Sequence, residues 1–278
     1  MLVRVRPGAP TKRSTYGELD MRIRFYQLLF AGTLLLTCTI IPTTKVALGQ
    51  SGINLVAPDE VSLYLHAELK NTDFVEPLVC SLKRVLVAPV ETHTLNLSLS
   101  PEMLASPGQF DVAKIANKFR QATASLGNSY TFNYFLIPYD MKDKQFRFVF
   151  ATGFGNASTP YHLGIVSMAR LESRDPELSR RERAEVTALR AYKLVIKSIA
   201  RIAGLPDFQR CVLAFPRNLD ELDRKSAEFC PQDRAALVEA RILKSEESAG
   251  CVYVSEQHNW RILSGQNTAH ILHKESDE

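Results

Sequence analysis

The chain has one tryptophan, five cysteines and six histidines in 278 residues, and few of them fall into a pattern that declares chemistry. His66, His93 and His162 are scattered, His258 neighbours Trp260, and only His270 and His273 stand at an i, i+3 spacing able to bind a metal weakly. No nucleophile elbow, Ser-His-Asp arrangement or reactive-cysteine signature is recognisable, which removes the familiar hydrolase templates. Gly153, Phe154 and Gly155 are too short a run for a phosphate loop. Repeats and long low-complexity linkers are absent as well. A field of one sign is also lacking: the formal charge is +4, and residues 1–49 alone hold seven basic against two acidic side chains. The remainder is close to neutral, so nothing points to a nucleic-acid partner.

What is present begins with a leader. Arg22 and Arg24 precede an almost wholly apolar run from Phe25 to Ile41, and Ala47, Leu48 and Gly49 provide a small-residue stretch before Gln50. This reads as a secretory signal over 21–49, cleaved near Gly49, or, uncleaved, as an anchor over 25–41 that would be the chain's sole membrane contact. Residues 1–20 precede a plausible start at Met21 and are set aside as an upstream extension. Either reading makes the protein exported, periplasmic or secreted. Export permits disulfides, and with Cys38 in the leader, Cys80, Cys211, Cys230 and Cys251 allow three pairings.

The 45% hydrophobic content supports one folded domain over 50–265, followed by a polar tail over 266–278. Val61, Leu63 and Leu65 alternate as in a strand, a helical segment ends near Lys83, and Arg84 to Ala88 reads as a short strand. Asp111 is placed to cap an amphipathic helix carrying Val112, Ile115, Ala116 and Phe119. Strand patterns recur at Tyr134–Ile137, around Phe146–Phe150 and at Ile165–Ala169. The longest helix candidate runs from Leu178 to Arg201, opening charged and closing apolar, with Gly204 and Pro206 as stop signals. Beyond Phe215 a loop leads to a helix over Arg234 to Lys244 and a strand at Cys251–Val254. Strands alternating with helices make the class α/β or α+β.

The end of the long helix carries the most specific signal. From Lys197 to Asp207 the chain keeps the frame of a metzincin zinc helix, H-E-x-x-H-x-x-G-x-x-H, but has Lys197, Arg201 and Asp207 at the histidine positions and Ser198 at the glutamate. Only Gly204 is retained. Downstream, Asn218 to Ser226 is similar to the N-x-L-x-E-x-D-R-K/R block of the archaemetzincins. Upstream, Gln109-Phe110-Asp111, Phe148 to Ala151 and Val166 to Leu171 resemble that family's Q-Y-D/N, N-F-V-F-G and V-V-S-x-A-R-L segments. The resemblance spans about residues 60–245. It implies a zincin-like mixed sheet with packed helices, zinc as the family cofactor, and a substrate groove formed by Ile165, Val166, Ser167 and Met168 on an edge strand together with Lys197 and Arg201.

The departures alter the expected function. Protonated Lys197 and Arg201 have no lone pair for zinc, Asp207 alone cannot hold it, and Ser198 cannot serve as the base that activates metal-bound water. Leu213 replaces the methionine of the family's C-x-M turn. The family's second, four-cysteine zinc site is also incomplete, with Phe208 and Asp233 at two thiolate positions and Cys211 and Cys230 left over. The resemblance therefore implies either a Cys211–Cys230 disulfide or two free buried thiols. No cofactor is expected. The reading is a pseudo-metallopeptidase that binds a peptide or protein partner in its former groove; the alternatives are an active zinc peptidase with rearranged ligands and a structural envelope protein.

Overall fold

A computed structural model describes residues 54–69, 72–125, 130–156, 158–206 and 209–247 in full, and 251–254 and 259–262 as backbone. All belong to one compact unit, Gly49–Glu278; the leader, Asp207, Phe208, and the tail lie outside the described residues. The chain runs through β1 (Glu60–His66), α1 (Val75–Val85), β2 (Val90–Leu95), β3 (Leu104–Ser106), β4 (Gln109–Asp111), α2 (Val112–Thr123), β5 (Thr131–Ile137) and β6 (Asp140–Lys142). It continues through β7 (Ala151–Phe154), β8 (His162–Ser167), α3 (Arg180–Ile202), α4 (Leu219–Arg224), α5 (Pro231–Glu239), β9 (Cys251–Val254) and β10 (Asn259–Ile262).

The main sheet has the order β2-β1-β5-β8-β7, parallel except for β7, which runs antiparallel along β8. Both faces are covered, so its central strands are almost continuously apolar rather than alternating. On one face Val61, Leu63, Phe132, Tyr134, Leu136 and Val166 join α1 and α3 in one core cluster. On the other, Tyr64, Phe135, Ile137, Leu163 and Ile165 meet Ile115 and Phe119 of α2. Alternation along each strand produces this division, and full burial of a side chain such as Leu63 or Phe132 contributes about 1.5–3 kcal/mol.

Local sequence signals explain the helices that position the site. Asp111 accepts from the backbone N–H groups of Ala113 and Lys114 and starts α2. Ser179 and Glu182 form a reciprocal capping box at the start of α3. That helix ends in a Schellman turn: Gly204 N–H reaches Arg201 O at 3.1 Å and Leu205 N–H reaches Ala200 O at 2.9 Å, with Gly204 at φ 107°. The retained glycine thus serves the backbone.

Three boundary expectations require correction. Arg84 and Val85 close α1 instead of opening a strand, and Leu86 makes only an isolated bridge to Leu243, because α1 keeps its helical phase until the chain turns before Pro89. Phe146 to Phe150 does not form a strand, since Arg147 O and Val149 N–H bond to the Gln109 side chain and Met141 O rather than to a ladder. The expected helix from Arg234 instead opens at Pro231, a residue suited to a first helical turn, and ends before Arg241 at φ 56°.

Candidate functional site

The second half of α3 crosses beneath β7, and between them opens a cavity of about 560 Å3. Lys197, Ser198, Arg201 and Ile202 of α3 line one side, Ala151 to Gly153 of β7 another, and the segments Phe146–Phe150 and Phe215–Arg217 complete it. Lys197 and Arg201 share this side because they are four residues apart on one helix. The structure therefore brings together three of the four residues that replace the metzincin zinc ligands and base; Asp207 is outside the described residues.

The groove strand differs from expectation. Ile165, Val166, Ser167 and Met168 are buried, and β8 is paired on both sides, by β5 and by β7. The edge strand is β7. The apolar V-S-M run suits an interior strand covered on two faces, whereas an edge facing a cavity tolerates Thr152 and the exposed Gly153.

Small residues govern how closely α3 approaches. Tyr134, Gly164 and Gly153 lie in register across β5, β8 and β7. The Tyr134 ring occupies the space over Gly164, where an added Cβ would meet ring carbon Cε1 at 2.2 Å. Beside it, the Tyr134 and Ser198 hydroxyls are buried and neither makes a hydrogen bond to a protein group. Burial pushes the Tyr134 phenol well above its ordinary range, an effect its neighbour Ser198 partly offsets.

The walls are aromatic. Phe148 packs edge-on to Phe150 at 5.0 Å, and Phe146 faces Phe215 at 5.3 Å with both rings strongly exposed at the rim. Arg170 holds Phe148 from behind, its guanidinium carbon 4.3 Å from the ring centroid, while pairing with Asp140 at 2.6 Å. Gln109 donates to the same Asp140 and to the carbonyl of Arg147, so the upstream motif supports the cavity rim. Lys197 Nζ stands 5.3 Å above Phe215.

The block from Asn218 to Ser226 clamps α4 onto α3. Asn218 caps α4 by accepting from Glu221 N–H, Leu222 is fully buried, and Asp223 takes both arms of Arg190 at 2.6 and 2.7 Å. Lys193 donates to the carbonyls of Leu222 and Asp223. Although polar in composition, the run therefore contributes to core packing through Leu222. Lys225 follows, 9% exposed, with no hydrogen-bond partner for its ammonium group. Its pKa is pushed down to about 7, first by burial and then by repulsion from Lys197 and Lys193.

Cys211 and Cys230 form a disulfide with Cα atoms 5.5 Å apart. Asp233 is buried and accepts a forked pair from Arg210 at 2.9 and 3.2 Å. Cys80 of α1 is disulfide-bonded too. Among the described residues no group of three or more His, Cys, Asp or Glu side chains could hold a metal. Lys197, Ser198 and Arg201 do not fit zinc, for cations bring no donor electrons and the hydroxyl is a poor ligand.

The main sheet, with its one antiparallel edge strand above a long helix, shares its fold with solved structures. The archaemetzincin of Methanopyrus kandleri matches with a TM-score of 0.51 at 20% identity, over 66% of this chain and 96% of that one. The archaemetzincin of Archaeoglobus fulgidus, solved with malonate, matches at 0.49 and 21% identity over 63% and 98%. A zinc-dependent peptidase of Methanocorpusculum labreanum matches at 0.47 and 22% over 64% and 99%. No family model and no curated protein matches the chain. The fold is archaemetzincin-like.

Proposed function

We propose that this protein is an exported, catalytically inactive relative of the zinc peptidases that binds a peptide or partner protein in the cavity between β7 and α3. The observation that carries the reading is the presence of Lys197, Ser198 and Arg201 on the cavity wall, beneath a strand that among the described residues is paired only on its β8 side. The cations remove zinc affinity and the serine removes the base, while the features that hold an extended chain are kept. An outer strand edge offers main-chain hydrogen bonds, and the aromatic walls offer apolar contacts. The disulfides support an oxidising compartment. Among the described residues no helix is long and apolar enough to cross a membrane.

The test is selection of peptides from a random library on immobilised full-length protein, followed by titration against Ala151→Trp, which fills the cavity from β7. Selected peptides are expected to bind without being cleaved and to lose at least about tenfold in affinity to the variant. Cleavage dependent on added zinc would establish an active peptidase instead. An absence of any selected peptide would favour a structural envelope role.

A further inference from the structure

The side-chain nitrogen of Lys225 is a buried polar atom to which the fold offers nothing. It has no hydrogen-bond partner and almost no surface open to solvent. Such atoms are few in a native structure, and each calls for a reason. Lys225 follows α4 directly, and its backbone N–H closes that helix on Glu221 O at 3.0 Å. Two carboxylates of α4 are engaged elsewhere: Asp223 takes the fork of Arg190, and Glu221 takes the guanidinium of Arg217. The charges that act on Lys225 come instead from Lys197 and Lys193 of α3, both of its own sign. Burial opposes an ammonium group here and both neighbours repel it, so the free amine, with its nucleophilic lone pair, is populated at neutral pH.

We propose that Lys225 is a carboxylation site, its buried and unpartnered amine taking up carbon dioxide as a carbamate stabilised by the neighbouring charges of Lys193 and Lys197. The Nζ lone pair attacks the carbon of carbon dioxide, a C–N bond forms, and one C–O π pair moves onto oxygen to give the carboxylate. One N–H proton leaves to water for each carbamate formed, so atoms and charge balance without an oxidant or reductant. Two properties of the site select this reagent. The nitrogen is enclosed, which excludes bulky electrophiles, whereas carbon dioxide is small and has no charge to desolvate on the way in. The product then reverses the sign of the local electrostatics: the cations that repel an ammonium group attract a carbamate. Lys193 commits two of its three donors to the carbonyls of Leu222 and Asp223, leaving one N–H for a carbamate oxygen. Lys197 acts through its charge, whatever else its ammonium group contacts, and it carries the effect to the cavity wall on which it stands. The modification requires nothing of a peptide in that cavity.

The test equilibrates the full chain with carbon-13 bicarbonate at a fixed level of dissolved carbon dioxide and follows it by carbon-13 NMR. Parallel samples are treated with a trialkyloxonium salt, which converts a carbamate to its ester and lets peptide mass spectrometry locate it. A carbamate resonance separate from that of bicarbonate is expected, with the ester on Lys225. Its intensity is expected to rise at least about tenfold between pH 6 and pH 8, as the neutral fraction of the amine grows. Lys225→Met is expected to remove this resonance while still unfolding cooperatively; the α-amino terminus, which is also partly neutral in this range, supplies a background that the variant keeps. A native chain with neither the resonance nor the Lys225 ester would overturn the assignment with no appeal to a variant. Esters spread at equal yield over exposed lysines would overturn it too, as would a resonance that Lys225→Met leaves at full strength.

Discussion

Ser198 Oγ lies against the backbone of Gly153, so close that a Cβ on Gly153 would meet it at 2.8 Å and would meet Ile202 at 3.2 Å. Ser198 is thereby a spacer that sets how near α3 comes to the edge strand. Gly153→Ala forces the Ser198 and Ile202 side chains, or the helix that carries them, to shift, and overpacking of this kind costs about 1–3 kcal/mol. The expected result is a lower melting temperature together with weaker capture of peptides by the displaced wall. Thermal unfolding and peptide titration on one preparation check both; an unchanged melting temperature would mean that the approach has slack.

Lys225 makes stability depend on pH with a defined sign. Its folded pKa of about 7 lies below the ordinary 10.5, so between these values the unfolded chain holds more of its proton than the folded one. Stability therefore rises as pH increases through this window, by at most about 1.4 kcal/mol per pH unit from this group. The penalty is complete below pH 7 and gone above 10.5. Lys225→Met is expected to be more stable than the native chain at pH 6, with the gap narrower at pH 9 and closing only near 10.5 in urea titrations. A gap that does not change with pH would assign the effect to packing.

The Cys211–Cys230 bridge closes a loop of 19 residues in sequence separation. Its removal is expected to cost about 3 kcal/mol, chiefly by freeing the unfolded chain. Replacing both cysteines with serine isolates this bridge from the one at Cys80, and chemical denaturation measures the loss. A loss below about 1 kcal/mol would show that the Arg210–Asp233 pair and the packing of α5 hold the region without it.

Zinc should not be retained. After dialysis against excess zinc and gel filtration, elemental analysis is expected to find far less than one ion per chain, and chelator is expected to leave the melting temperature unchanged. Near-stoichiometric zinc that also raises the melting temperature would contradict the inactive reading.

Where the signals were local, the sequence was readable. Asp111 as a cap, the glycine turn after Arg201 and the shared face of Lys197 and Arg201 each follow from spacing within a turn or two. The strand β7 is hard to read because it is four residues long and Ala151 and Gly153 interrupt the strand-forming Thr152 and Phe154; pairing with β8 makes it a strand. Helix α4 left a readable clue in Asn218 followed by Glu221, a cap and its third residue, yet at six residues it is too short for periodicity to show. The burial of Lys225 and the seat of Tyr134 over Gly164 join residues 28 or more positions apart. No window along the chain contains that information.

The forked Arg210–Asp233 pair and the adjacent disulfide fasten the start of α5 to the turn at Cys211, from which the chain runs directly to Phe215, Pro216 and Arg217 on the cavity rim. A chain whose thiols stay reduced lacks this fastening. Under the proposed reading, readiness to hold a ligand then depends on the compartment, because the segment tied covalently is the one that leads to the cavity rim.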